Sequence, residues 1–69
     1  MTEAEYWIEV SLVHNKNQQW RYGQTLFNTL LDNRPDLAER IRGGALDPFY
    51  CEDTTPRIKA FAQFIQENW

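Results

Sequence analysis

Near the carboxyl end, apolar residues recur at every third or fourth position, which is the spacing of one face of an amphipathic helix. This stripe comprises Ile58, Phe61, Ala62, Ile65 and Trp69, and the opposite face carries Lys59, Gln63, Gln66 and Glu67. Thr55 suits an N-cap, and Pro56 suits the first helical position, where its missing N–H costs nothing. The pattern therefore predicts a helix over residues 56–68.

A second helical stripe lies between residues 18 and 32. The pattern is clearest over residues 25–32, because Gly23 costs a helix about 1 kcal/mol relative to alanine. A glycine on the apolar side often lets a neighbouring backbone approach closely, and Phe27 would stand one turn from that gap. The stripe consists of Trp20, Gly23, Leu26, Phe27, Leu30 and Leu31.

The third segment predicts a helix of about two turns that begins at Pro35 and ends before Gly43, a natural left-handed terminator. Acidic residues come early in this segment and basic residues come late, which suits the helix dipole. These charges are Asp36, Glu39, Arg40 and Arg42, and the buried stripe is Leu37, Ala38 and Ile41.

The first segment fits either a helix or a strand. Thr2 and Glu5 have the spacing of a capping box, and a helical stripe follows: Tyr6, Trp7, Val10 and Val13. Strand-like alternation also runs through the segment, with Tyr6, Ile8, Val10 and Leu12 against Trp7, Glu9, Ser11 and Val13. We favour the helix, because a lone strand would need a second chain with which to pair.

The loop over residues 44–54 contains two adjacent rings, Phe49 and Tyr50. Asp47 can cap a single helical turn begun by Pro48, and both rings would then hold the loop on the helices. We expect a fixed loop rather than a tether.

Together these segments predict an all-α fold, a compact three- to four-helix domain that comprises residues 1–69. Ordering 69 residues costs on the order of 100 kcal/mol, and the single cysteine excludes a disulfide framework. The aromatic residues, 14% of the chain, are therefore interpreted mainly as core. Self-association, including a strand-paired dimer, is the other way in which so small a domain can complete its burial.

The net charge of −3 argues against nucleic-acid binding, whose affinity comes mainly from cationic contacts to phosphate. One alternative remains, a helix-turn-helix-like DNA-binding regulator that reads bases with Arg34, Arg40 and Arg42. Asp36 and Glu39 in the leading turn of the recognition helix count against it. The chain has no apolar run long enough to span a bilayer and an acidic rather than basic beginning, so we expect a cytoplasmic protein.

No catalytic set emerges from the sequence. Cys51 and His14 form the one conceivable thiol–imidazole pair, but Glu52 and Asp53 would raise the thiol pKa, the wrong direction for reactivity. A cation site built from Asp47, Glu52 and Asp53 lacks the ligand spacing and turn glycine of a calcium loop. We therefore expect no enzyme activity, no cofactor and no metal, with Asp53 instead favouring the start of the last helix.

The strongest candidate for a binding surface is the run of residues 19–24. Trp, Tyr and Arg dominate the energetics of protein–protein interfaces. Trp20 can face the core while its neighbours point elsewhere, although Trp20 and Tyr22 could equally close the end of the bundle. The predicted partner-binding residues are Trp20, Arg21, Tyr22 and Gln24.

Residues 20–50 resemble a family of small proteins from bacteria and their phages that has no assigned activity. The resemblance is carried by the residue runs 20–28, 34–39, 41–43 and 47–50. It implies a bacterial or phage setting and no chemistry. The sequence as a whole favours a small acidic module that binds another protein, as a regulator, inhibitor or accessory subunit, with a homodimer as a further option.

Overall fold

The structure is a computed structural model that describes residues 1–52 and 55–69. Within these ranges the chain is all-helical and contains no strand. The helices are α1 (Glu3–Lys16), α2 (Tyr22–Asn33), α3 (Pro35–Ile41) and α4 (Pro56–Asn68). The predicted all-α class is confirmed, and so are the bounds of α4. The proposed effect of Asp53 on the start of α4 lies outside the described residues.

The first segment is a helix, and the strand alternative is wrong. Glu5 N–H donates to the Thr2 hydroxyl over 3.2 Å, and Thr2 N–H donates to the Glu5 carboxylate over 2.7 Å, so the predicted capping box forms. The alternation that resembled a strand arises because α1 is apolar on two faces. Tyr6 and Val10 enter the core, whereas Ile8 and Leu12 lie on the solvent side.

The core is built where α1, α2, α3 and α4 meet. Its centre is the Tyr6 ring, whose hydroxyl donates to the Leu26 carbonyl over 2.8 Å. Burial raises the pKa of this hydroxyl well above its ordinary value. The buried hydrophobic residues are Tyr6, Val10, Leu26, Phe27, Leu30, Leu37, Ala38, Ile41, Phe61, Phe64 and Ile65. Phe64 was missing from the predicted stripe of α4, because α4 is covered on a wider face than one row of residues.

The end of α4 is attached to the junction of α2 and α3. The Arg34 guanidinium donates to the Trp69 main-chain oxygen over 2.9 Å and lies 5.0 Å from the centre of the Trp69 ring. The same guanidinium makes a two-point contact with Asp36. The Trp69 ring in turn lies 5.3 Å from the Tyr6 ring. Arg34 thus links the α2–α3 junction to the last residue of the chain.

A buried hydroxyl gives a first prediction. Thr29 is buried, and its hydroxyl finds no hydrogen-bond partner among the described residues. The Thr25 hydroxyl, one turn earlier, contacts both the Arg21 carbonyl and His14. Thr29→Val should therefore raise the free energy of unfolding by about 1 kcal/mol, because it removes an unpaired polar group. The matched change Thr25→Val should lower it, as measured by urea denaturation; equal effects of the two changes would contradict this interpretation.

Acid should weaken the fold through two exposed carboxylates. Hydrogen bonds from Thr2 hold the pKa of Glu5 below its ordinary 4.5, and the hydrogen bonds from Arg34 hold the pKa of Asp36 below its ordinary 3.8. Since both pKa values are lowered in the folded state, their contribution is complete above these ordinary values and is lost as the pH falls below them. Urea denaturation at a series of pH values should show a shallower acid decline in Glu5→Gln/Asp36→Asn. An unchanged decline would contradict the assignment.

Candidate protein-binding surface

The predicted partner-binding residues lie where α2 begins. Two of them precede the helix, and two belong to its first turn. Arg21 is the N-cap residue, with extended backbone angles, and Tyr22 is the first helical residue. Their side chains consequently go to different neighbours. Arg21 reaches the loop before α4, and Tyr22 packs towards α1.

Arg21 lies against the two adjacent rings of the loop. Its Nε–H donates to the Phe49 carbonyl over 3.4 Å. Its guanidinium carbon lies 5.7 Å from the centre of the Phe49 ring and 5.3 Å from that of the Tyr50 ring. The two rings meet edge to face at 5.0 Å, and Phe49 continues inward to Phe27 at 6.1 Å. We call Arg21, Phe49 and Tyr50 the arginine–aromatic cluster.

Tyr50 projects into solvent with 82% of its surface exposed, so the expectation that both rings hold the loop on the helices is correct for Phe49 and wrong for Tyr50. The reason is the tight turn in which they lie. Asp47 accepts from Phe49 N–H over 3.0 Å, and Cys51 N–H donates to the Pro48 carbonyl over 2.8 Å. Consecutive side chains diverge in such a turn, so Phe49 packs inward and Tyr50 points outward.

The turn is held directly against the first turn of α2. Gly23 N–H donates to the Cys51 carbonyl over 3.0 Å, and Pro48, the first residue of the turn, is buried. A Cβ atom on Gly23 would overlap with the Pro48 carbonyl and lie 2.7 Å from the Cys51 oxygen. The predicted close backbone approach at Gly23 is therefore confirmed, and it positions Tyr50.

Tyr22 belongs to a separate groove between α1 and α2. Its ring packs against the core cluster and meets the His14 ring edge to face at 5.6 Å. His14 also lies 3.2 Å from the Thr25 hydroxyl. The groove has a volume of about 490 Å³ and is lined by Ser11, His14, Asn15, Gln18 and Tyr22.

The remaining two predicted residues are both half-buried. Trp20 lies in the α1–α2 connection, where its main-chain N–H donates to the Asn17 carbonyl over 2.9 Å. Gln24 lies in the first turn of α2. Of the two rings that the sequence allowed to pack against the bundle, Tyr22 is the one that contacts the core cluster. Among the four predicted residues, the Arg21 and Tyr22 side chains thus lie against different elements.

A larger groove lies on the other flank of α1, against α4. Its volume is about 780 Å³, and it is lined by Glu3, Trp7, Lys59, Ala62, Gln63, Gln66 and Glu67. The Trp7 indole N–H donates to Glu3 over 3.0 Å within it. This groove is broad, most of its lining residues are polar, and it does not include any of the predicted site residues.

The conceivable catalytic and metal-ligating residues are not brought together in the described parts of the chain. His14 is engaged with α2, and no hydrogen bond joins it to Cys51 within residues 1–52 and 55–69. The same ranges contain no group of three potential His, Cys, Asp or Glu metal ligands, and Asp53 of the acidic loop lies outside them. No helix among these residues is both long and apolar enough to cross a bilayer.

The three arginines of the DNA-binding alternative all contact their own chain. Arg34 is paired with Asp36 and Trp69. Arg40 lies 5.2 Å from the centre of the Phe64 ring. Arg42 lies 5.5 Å from that of Phe27 and forms a 3.1 Å salt bridge with Glu39.

Sequence reasoning selected Arg21 but missed Tyr50 as its neighbour. The sequence carried only part of the signal, because adjacent side chains in a tight turn diverge but their order does not say which of the two faces outward. Comparison with protein-family models, curated proteins and solved structures finds no match for this chain. Among the described residues, the arginine–aromatic cluster combines an exposed ring with a turn that is hydrogen-bonded to α2.

The close approach at Gly23 yields a third prediction. Gly23→Ala should lower the free energy of unfolding by about 1–3 kcal/mol, because the new methyl group must displace the turn that carries Tyr50. In an unobstructed helix the same change would raise stability by about 1 kcal/mol. Gly44→Ala is the matched control, since its nearest contact is the Ile41 oxygen at 3.4 Å. Urea denaturation measures the free energy of unfolding of both variants. An increase in Gly23→Ala would show that the turn does not constrain this position.

Proposed function

We propose that this chain is a small acidic module that binds another protein through the arginine–aromatic cluster, as a regulator, inhibitor or accessory subunit without catalytic activity. The observation that supports the proposal is the exposure of Tyr50, 82%, on a turn fastened to α2. The setting expected from the sequence pattern of residues 20–50 is bacterial or phage, and we accordingly propose a partner in the bacterial cytoplasm.

An exposed ring on a rigid support is well suited to binding. Tyrosine loses little conformational entropy when it enters a partner's pocket, and the contacts with Arg21 and Phe49 already restrict its ring. Phe49 in turn packs edge to face against Phe27 of the core, which holds the turn beside Tyr50 in place. Binding therefore requires little further ordering.

The charge around the ring indicates the kind of partner surface. Glu52 is exposed two residues after Tyr50, and the chain as a whole carries a net charge of −3. Arg21 is half-buried beneath the rings, so its charge is partly covered. We expect a partner with an apolar pocket for the Tyr50 ring and a basic rim.

The alternative, a helix-turn-helix-like DNA-binding regulator, has less support. Its three reading arginines contact rings or carboxylates of their own chain, and freeing them for bases would break those contacts. The proposed recognition helix α3 has only seven residues. DNA binding would be recognised by a duplex-DNA shift at low salt that falls steeply as salt is added.

A site-specific crosslink tests the proposal. The photoreactive amino acid p-benzoylphenylalanine, placed at position 50 in the producing cell, should form a discrete crosslink to one protein. The same amino acid at Gln66, an exposed residue of α4, is the matched control and should not. Equal crosslinking at both positions, or none at position 50, would overturn the proposal.

The crosslinked protein then allows a quantitative prediction. Tyr50→Ala should weaken its binding by at least about tenfold, as expected for a central interface tyrosine. The free energy of unfolding should change by no more than about 0.5 kcal/mol, because the side chain is exposed. Isothermal titration calorimetry and urea denaturation measure the two quantities, and Tyr50→Phe, which keeps the ring, should bind nearly as well as the wild type. A large loss of stability in Tyr50→Ala would instead assign the ring to packing.

A further inference from the structure

An apolar row lies on the solvent side of α1, opposite Tyr6 and Val10. It consists of Ala4, Ile8 and Leu12, which follow one another by one helical turn. Ile8 is 62% and Leu12 is 52% exposed, and Ala4 is exposed as well. Single exposed aliphatic side chains are ordinary, but here they align in one row. We call these three residues the α1 row.

Two opposite charges flank the α1 row along the same edge. Glu5 stands one turn before Ile8, and Lys16 stands one turn after Leu12. The two are eleven residues apart, which is close to three full turns, so both lie along that edge. The Glu5 carboxylate accepts the Thr2 N–H through one oxygen, which leaves its second oxygen for a donor of another chain. Both are exposed, and neither takes part in a salt bridge within the described residues, whose salt bridges are Arg34–Asp36 and Arg42–Glu39.

The α1 row and its two flanking charges match those of a second α1 helix when the two helices are antiparallel. Ile8 and Leu12 are centred on residue 10, and Glu5 and Lys16 are centred almost at the same place. An antiparallel pair therefore sets Ile8 against Leu12 of the second copy twice, and Glu5 against Lys16 of the second copy twice. Antiparallel helix dipoles also attract. In a parallel pair, the charged edges of the two copies would lie on opposite sides of the seam, so no Glu5–Lys16 pair would form.

From this geometry we infer that α1 binds a second copy of this chain, antiparallel, through the α1 row and two Glu5–Lys16 ion pairs. The inference goes beyond the proposed function, because the α1 row and the arginine–aromatic cluster share no residue. Tyr50 is not needed for the dimer contact and remains available to a different protein.

The size of the row sets the strength of this association. Standard stable interfaces bury roughly 800 Å² per partner, which is about a fifth of the chain's accessible surface of 4333 Å². The fourteen residues of α1 span only about 21 Å, and one face of them offers less area than that. The dimer is therefore weak and reversible, and it forms as the protein concentration rises.

Sedimentation equilibrium over roughly 10 µM to 1 mM chain tests the inference, a range chosen for weak association. The wild type should pass from monomer to dimer. Ile8→Glu should weaken dimerisation by at least about tenfold without lowering the melting temperature, because the side chain is exposed. Leu12→Gln is a second variant that disrupts the same row without adding charge and should act in the same direction.

A matched pair of charge reversals tests the orientation. Lys16→Glu should weaken the dimer by about fivefold or more, because it turns two attractions into repulsions. Lys59→Glu on α4 makes the same change in net charge away from the row and should leave dimerisation unchanged. A parallel pair has no Glu5–Lys16 contact, so Lys16→Glu would then have no specific effect.

Three results would overturn the inference: a monomer at every concentration, a dimer indifferent to Ile8→Glu, or equal effects of Lys16→Glu and Lys59→Glu. A monomer whose α1 row crosslinks to another protein would assign the row to that partner. The crosslink at position 50 is measured separately, so failure of the dimer leaves the proposed function standing and the reverse also holds.

Discussion

The contact that organises the candidate surface is the backbone approach of the Pro48–Cys51 turn to Gly23. A hydrogen bond of 3.0 Å from Gly23 N–H to the Cys51 carbonyl joins two backbones at a distance that leaves no room for a side chain. Since the hydrogen bond satisfies one of the free N–H groups at the start of α2, the turn acts in place of a side-chain cap, which Arg21 does not provide. The same contact determines where Phe49 packs and where Tyr50 emerges.

The second constraint is that α1 carries apolar residues on two faces, whereas the core of the bundle covers only one of them. One face, with Tyr6 and Val10, is enough to close the bundle against α2, where Tyr6 donates a hydrogen bond to the Leu26 carbonyl. Ile8 and Leu12, on the opposite face, are left largely exposed in the monomer. A helix with two apolar faces and one covered face is incomplete in a way that a second chain can remedy.

Features that depend on neighbouring residues in the sequence were predictable. The Thr2–Glu5 capping box, the Thr55 cap before Pro56 and the left-handed Gly43, with φ of 72°, each need only a few adjacent residues, and each forms. The close approach at Gly23 was also predictable in kind, since a glycine on an apolar helix face is typical of a place where a second backbone packs against the helix.

Features that depend on tertiary packing could not be predicted from the sequence. Whether Phe64 is buried depends on how far the surrounding residues cover α4, and whether Tyr50 is exposed depends on the direction in which a turn meets α2. Periodicity carries neither piece of information. Likewise, Tyr22 rather than Trp20 packs against the core because α2 begins only at Tyr22, so Trp20 precedes the helix whose stripe it was assigned to.

The arrangement of the cations is one reason for proposing a protein rather than a nucleic acid as the partner. Four of the five arginines lie over aromatic rings of their own chain, and the fifth, Arg57, donates to the Asp47 carbonyl over 3.3 Å. Arginines used in this way stabilise the fold and screen its rings, but their donors are partly withdrawn from other partners. Both lysines are exposed, and Lys16 lies at the edge of the α1 row. A surface on which the arginines are engaged and one tyrosine projects from a rigid turn matches the chemistry of a protein partner better than that of a nucleic acid.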